Sequence, residues 1–170
     1  MTFDDISGDG NLWAVRYDGD NDNILAITFE RWNDPEWLKD FFITNLNQAI
    51  FDTISDAQNL ECVILDSIAS DKLDYLFKPL ENLRASEALL SKEKAKGSNV
   101  SRHPSWLRLY AIRFQTNSYL ITGGAIKLTQ SMQEREHTLA ELHKLEQVRN
   151  FLMSNGAFDI DGFYDLIHSK

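Results

Sequence analysis

Hydrophobic and polar positions alternate most strictly between residues 106 and 129. Trp106, Arg108, Tyr110, Ile112 and Phe114 share one parity, and Leu107, Leu109, Ala111 and Arg113 the other, which is the period of a β-strand. Gln115-Thr116-Asn117-Ser118 has the composition of a turn, and Tyr119 to Thr122 predicts a returning strand. Strands are therefore expected near 106–114 and 117–127. Gly123-Gly124 interrupts the second strand, where paired glycines indicate a bulge or a close approach of another group to the backbone.

Earlier in the chain, residues 11–17 and 24–32 are rich in β-branched and aromatic types and flank the acidic cluster Asp18 to Asn23. This predicts an N-terminal hairpin whose loop is a solvated turn; the loop lacks the twelfth-position Glu of a calcium loop. Asp34-Pro35-Glu36 is a helix start, with Asp34 as cap and Pro35 in the first turn. Apolar residues at helical spacing carry that helix over 35–51, with Trp37, Phe41 and Phe42 inward. Ser55 is expected to cap a second helix and Ser70 to open a short third one ending before Pro79. Residues 81–97 read as partly helical. A long helix follows over 132–153, with Leu139, Leu142, Leu145, Val148 and Leu152 inward and Glu134 and Glu141 on a charged outer face. Asn155-Gly156 ends it, and 159–167 predicts a short amphipathic closing helix. One domain over 1–170 with an α+β fold is expected. Trp13, Phe29, Leu65, Phe77, Ile112 and Leu120 join the inward helical residues in its core.

Charge changes this picture by its distribution. The chain carries −9 overall, a balance that argues against a nucleic-acid binder. Between Lys92 and Lys127, however, seven basic residues face one acid, Glu93, while the remainder holds ten basic and twenty-five acidic residues. The basic set is Lys92, Lys94, Lys96, Arg102, Arg108, Arg113 and Lys127. Strand-borne guanidinium and ammonium groups suit the binding of a phosphate and of charge developing on it. Arginines on a half-exposed strand also commonly pair with neighbouring acids, and Lys-Glu-Lys-Ala-Lys also reads as a solvated helix face. The single cysteine, Cys62, lies in an apolar run and is expected to be a buried thiol in a reducing compartment. No phosphate-binding loop, cysteine–histidine zinc spacing or serine elbow is present, and His137 and His143 fall on opposed helix faces. No metal or other cofactor is expected. With no membrane-length apolar run and no signal-like start, the reading is a cytoplasmic protein.

The run Arg108-Leu109-Tyr110-Ala111-Ile112-Arg113-Phe114, a turn, and Tyr119-Leu120-Ile121-Thr122-Gly123-Gly124-Ala125-Ile126-Lys127-Leu128-Thr129, followed by a charged helix, resembles the C-terminal half of RelE/ParE-type toxins. The likeness is greatest to their HigB-like or phage-derived branch and covers roughly 70–152, including Leu73 to Leu80. It implies a small twisted antiparallel sheet with helices on one side, a toxin-like core over 70–170, and an N-terminal hairpin-plus-helix extension over 1–69. It further implies metal-independent cleavage of mRNA, in a toxin–antitoxin or phage-defence setting, with mRNA or the ribosome and an antitoxin as partners. By position, Arg108, Arg113 and Lys127 match the family's basic residues; Tyr110, His103 and Glu134 are candidates for acid or base. Lys92, Lys94, Lys96 and Arg102 would bind RNA from an adjoining loop. Two other readings stand beside this one. One is a non-catalytic module docking an acidic partner through the basic hairpin. The other is a homo-oligomer pairing that hairpin with the acidic N-terminus of a neighbour.

Overall fold

The computed structural model describes residues 1–42, 47–80, 89–97, 103–128 and 132–169. Six strands form one sheet in the order β1-β2-β6-β5-β4-β3. Their ranges are β1 Thr2–Asp5, β2 Leu12–Arg16, β3 Phe77–Pro79, β4 Ser91–Lys96, β5 Leu107–Gln115 and β6 Ser118–Ile126. The helices are α1 Ile24–Asn33, α2 Pro35–Phe42, α3 Asn47–Ala69, α4 Leu73–Leu76, α5 Met132–Ser154 and α6 Ile160–His168. The fold is α+β, as its sequence pattern indicates. Among the described residues no helix is long and apolar enough to cross a membrane.

The β5–β6 hairpin forms where the alternation predicts it, closed by Asn117 at φ 55°. The glycine pair coincides with a bulge: Tyr110 pairs Gly123 but Ala111 pairs Ile121, leaving Thr122 as the extra residue. The two glycines look to opposite faces. A Cβ on Gly123 would lie 2.0 Å from Glu141 Oε2 of α5, and one on Gly124 would lie 2.8–3.0 Å from Thr28 and Trp32 of α1. Helices therefore cover both faces of the sheet, α5 and α6 on one, α1, α3 and α4 on the other, while Phe41 of α2 reaches His137 of α5. Phe163 of α6 packs edge-on to Phe3 and Trp13 and stacks on Phe114, closing the first face at its far end.

Several expectations are corrected. Residues 24–32 form α1 instead of a returning strand. Ile24, Leu25, Thr28, Phe29 and Trp32 are buried at helical spacing, and Asn23 caps the helix by accepting from the Ala26 N–H. Burial at period 3.6 overrides the β-branched composition. With no hairpin there, β2 pairs antiparallel with β1 and parallel with β6, so the sheet is mixed. Ser55 lies inside α3, which runs unbroken past it. Residues 91–96 are strand, because Ser91, Glu93 and Ala95 turn inward while Lys92, Lys94 and Lys96 turn out, paired along β5; the rest of 81–97 lies largely outside the described residues. Leu65 and Leu139 are 59% and 64% exposed, and Cys62 is exposed too. Asp34 does begin α2, accepting from the Glu36 N–H, and Asp159 caps α6. Trp13, Phe29, Phe77, Ile112, Leu120, Leu145, Val148 and Leu152 are core, with Trp37, Phe41, Phe42 and Leu142 half-buried against it.

Candidate functional site

Register decides which basic residues meet. Lys96 pairs Arg108, Lys94 pairs Tyr110, and Arg108 pairs Ala125. Cross-strand partners share a face, and Tyr110 shares that of Gly123, so these side chains lie on the α5 face. Lys127 follows Ala125 at the same parity, and its N–H donates to the Trp106 carbonyl at 2.8 Å. Lys94, Lys96, Arg108 and Lys127 thus gather on one face beside Tyr110. Lys92 shares the face but is tied to Glu146 of α5 at 3.1 Å.

Among the described residues none of these four cations forms an ion pair, although pairs do form around them on Lys92, Arg113, Lys144 and Arg149. Lys96 and Lys127 are exposed, Lys94 and Arg108 half-buried. Burial disfavours the Lys94 ammonium, and Lys96, Arg108 and Lys127 repel it further, so its pKa falls below the usual lysine value. Arg108 is also depressed by burial, yet its guanidinium is fixed: Nη1 donates to the carbonyls of Ser105 and Leu107, both at 2.7 Å. Burial raises the Tyr110 phenol, which is 2% exposed, against the opposing pull of Arg108.

α5 closes the inner side of this face with polar groups, contrary to the expected outward charge. Glu134 and Glu141 are both 5% exposed. Glu134 accepts from the Leu128 N–H at 2.8 Å, fixing the turn after β6. Glu141 Oε1 pairs with Lys144, while among the described residues Oε2 has no hydrogen-bond partner, nor have His137 Nε2 and Thr138 Oγ1. Burial pushes the His137 pKa down. The paired glycines were the one sequence signal of this crowding.

The remaining expected site residues are placed elsewhere. Arg113 lies on the opposite face, as its parity requires, and its Nε is 3.4 Å from Asp74 Oδ1. Asp74 also accepts from the Asn117 N–H and the Tyr119 hydroxyl, so Arg113 belongs to a lock holding the β5–β6 turn against α4. Burial raises the Asp74 carboxyl, but Tyr119, Asn117 and Arg113 outweigh it and hold the group below its ordinary value. Glu93, 3% exposed, is pushed up by burial in the adjoining pocket of about 240 Å³. His103 stacks on Trp106 at 4.2 Å and faces Asp52 of α3 at 3.1 Å. Its Nδ1 meets the Pro104 carbonyl, and with both ring nitrogens facing acceptors its pKa is raised. Arg102 lies outside the described residues. Sequence reasoning missed Asp56, 1% exposed inside α3 with both carboxylate oxygens unpartnered. Burial raises its pKa; Ser105 is near enough to offset part of the cost without a hydrogen bond of ordinary geometry.

Among the described residues no three acidic, histidine or cysteine side chains converge as metal ligands. No family model, no curated protein and no solved structure matches this chain.

Proposed function

We propose that this protein binds RNA through its phosphodiester backbone on the β4–β5–β6 face, and acts there as a metal-independent endoribonuclease of the RelE/ParE type under antitoxin control. The observation that carries the reading is the gathering of Lys94, Lys96, Arg108 and Lys127, without acid partners among the described residues, on one face of a chain that is −9 overall. Like charges held together cost free energy unless an anion joins them, and a polyphosphate supplies regularly spaced anions.

In this reading the RNA 2′-oxygen attacks the adjacent phosphorus as the 2′-proton passes to a base and the 5′-oxygen leaves. Lys94 is the group on this face nearest to that role, since burial and three neighbouring cations lower its pKa below the usual lysine value and ease the loss of its proton. Arg108, preset by two backbone carbonyls, and Lys127 meet the charge growing on the phosphoryl oxygens. Tyr110, kept protonated, cannot be that base, and the departing 5′-oxygen is protonated in exchange for the proton that Lys94 has taken. The products are a 2′,3′-cyclic phosphate and a 5′-hydroxyl.

The test incubates purified protein with end-labelled single-stranded RNA, following binding against salt and the product ends. Cleavage lost in Lys94→Met, with no more binding lost than in Lys96→Ala, supports the assignment. Salt-dependent binding without cleavage leaves a non-catalytic module that docks an acidic partner on the same face. Absence of salt-dependent binding removes both.

A further inference from the structure

α3 turns Thr53, Asp56, Ala57, Leu60 and Ile64 inward. Its outer side is unusual for a solvent-facing helix. Phe51 and Leu65 are 68% and 59% exposed, and Cys62, Gln58 and Ala69 are exposed with them. Phe51, Ser55, Gln58, Cys62, Leu65 and Ala69 recur at alternating steps of four and three, the heptad spacing by which one helix seats another. The stripe carries no charge, and at about 100° per residue Glu61 and Asp66 fall on its two flanks. α3 has no Lys, Arg or His in its 23 residues.

This pattern selects its occupant. Two copies of α3 laid together would set Glu61 and Asp66 against their own kind, and like charges flanking a seam oppose pairing. A partner helix with basic flanks would meet attraction along both edges while covering Phe51 and Leu65. The cationic face does not compete for the site: α3 packs on α1, under Gly124, on the other side of the sheet.

We propose that the outer face of α3 is a docking surface for one amphipathic helix of a partner protein, whose apolar seam is flanked by Lys or Arg. The proposal does not depend on RNA binding, since it uses different residues on the opposite side of the sheet.

The test uses a synthetic helix about three heptads long, with Leu at a and d and Lys at e and g. A second peptide carries Glu at e and g. The Lys peptide should bind the full chain in a salt-sensitive way and slow alkylation of Cys62, the only cysteine. Leu65→Glu should weaken that binding by about tenfold or more, roughly 1.4 kcal/mol, and leave RNA binding unchanged. General attraction of a basic peptide to an acidic protein predicts the opposite, because Leu65→Glu adds negative charge. No binding, equal binding of both peptides, or binding undiminished in Leu65→Glu overturns the proposal. So does a concentration-dependent dimer in sedimentation that protects Cys62 without peptide, since a second copy would then be the occupant.

Discussion

Replacing Lys96 or Lys127 by alanine is the most direct probe of the cationic face, because both side chains are exposed and neither anchors the fold. Four cations on one face allow about four phosphates to be neutralised. For single-stranded RNA each neutralised phosphate contributes about −0.7 to the slope of log affinity against log salt, giving a slope near −2.8. Between 50 and 200 mM salt, affinity should then fall about fifty-fold. Removing one cation should bring the slope to about −2.1 and the loss over the same range to about twenty-fold. Fluorescence anisotropy of a labelled oligoribonucleotide, read at four or more salt concentrations, measures the slope. Lys72→Ala is the control: the residue is exposed just before α4, on the other side of the sheet, and its loss changes net charge equally. Equal slopes for wild type, Lys96→Ala and Lys127→Ala would refute the reasoning. So would a Lys72→Ala protein that shifted as far as they did, because binding would then track net charge alone.

Three further outcomes test the packing. Gly124→Ala forces a methyl to within 3.0 Å of Thr28 and Trp32; it should cost ~1–3 kcal/mol, a fall of about 2–12 °C in the circular-dichroism midpoint. Leu145→Ala, fully buried, should cost ~2–5 kcal/mol, whereas Leu139→Ala, 64% exposed, should stay within about 0.5 kcal/mol in denaturant titrations. Asp56→Asn tests a buried carboxyl whose folded pKa is raised, so the folded state holds its proton more tightly than the unfolded one. Wild-type stability should therefore fall as pH rises from the ordinary aspartate value through the raised one, and the Asn variant should not follow it. Parallel urea melts at acidic and neutral pH check this, with the variant gaining relative to wild type only on the neutral side.

The sequence disclosed the hairpin, the bulge and the long C-terminal helix because each had an unambiguous period or a residue with one structural use. Alternation from Leu107 to Arg113 reads only as strand, and Gly123-Gly124 marked the point where Thr122 is extruded and α5 and α1 press from both sides. α1 was illegible by composition, since Ile, Thr, Phe and Trp favour strands; its burial pattern at 24, 25, 28, 29 and 32 carried the true period. β4 failed in the opposite direction. Ser-Lys-Glu-Lys-Ala-Lys has helix-forming residues, but its lysines alternate, and pairing with β5 decides the matter. The candidate site was legible as a charge segregation and no further. Sequence could not show that Arg113 is spent on Asp74, or that Lys94, Lys96, Arg108 and Lys127 meet no acid among the described residues, because both depend on residues distant in the chain.

The acidic balance of the chain does not oppose a phosphate-binding face, given where the charges lie. Asp4 engages Arg16, Asp52 faces His103, and Asp5 is consumed by backbone N–H groups of its own loop, so much of the negative charge is locally spent. What remains exposed acts at a distance, and at physiological ionic strength fields fade over about 8 Å. A polyanion approaching the sheet from the α5 side therefore senses Lys96 and Lys127 first, then the half-buried Lys94 and Arg108 behind them. The same polyanion approaching α3 meets Glu61 and Asp66 with no cation on that helix. On the proposed reading, acidic surroundings would restrict phosphate to one face and leave the opposite side to a basic helix. That division predicts a measurable independence: saturating the α3 face with the Lys-flanked peptide should leave the salt slope for RNA near −2.8. A slope driven toward zero would mean that the two faces are one electrostatic surface, and that the charge segregation has no functional division behind it.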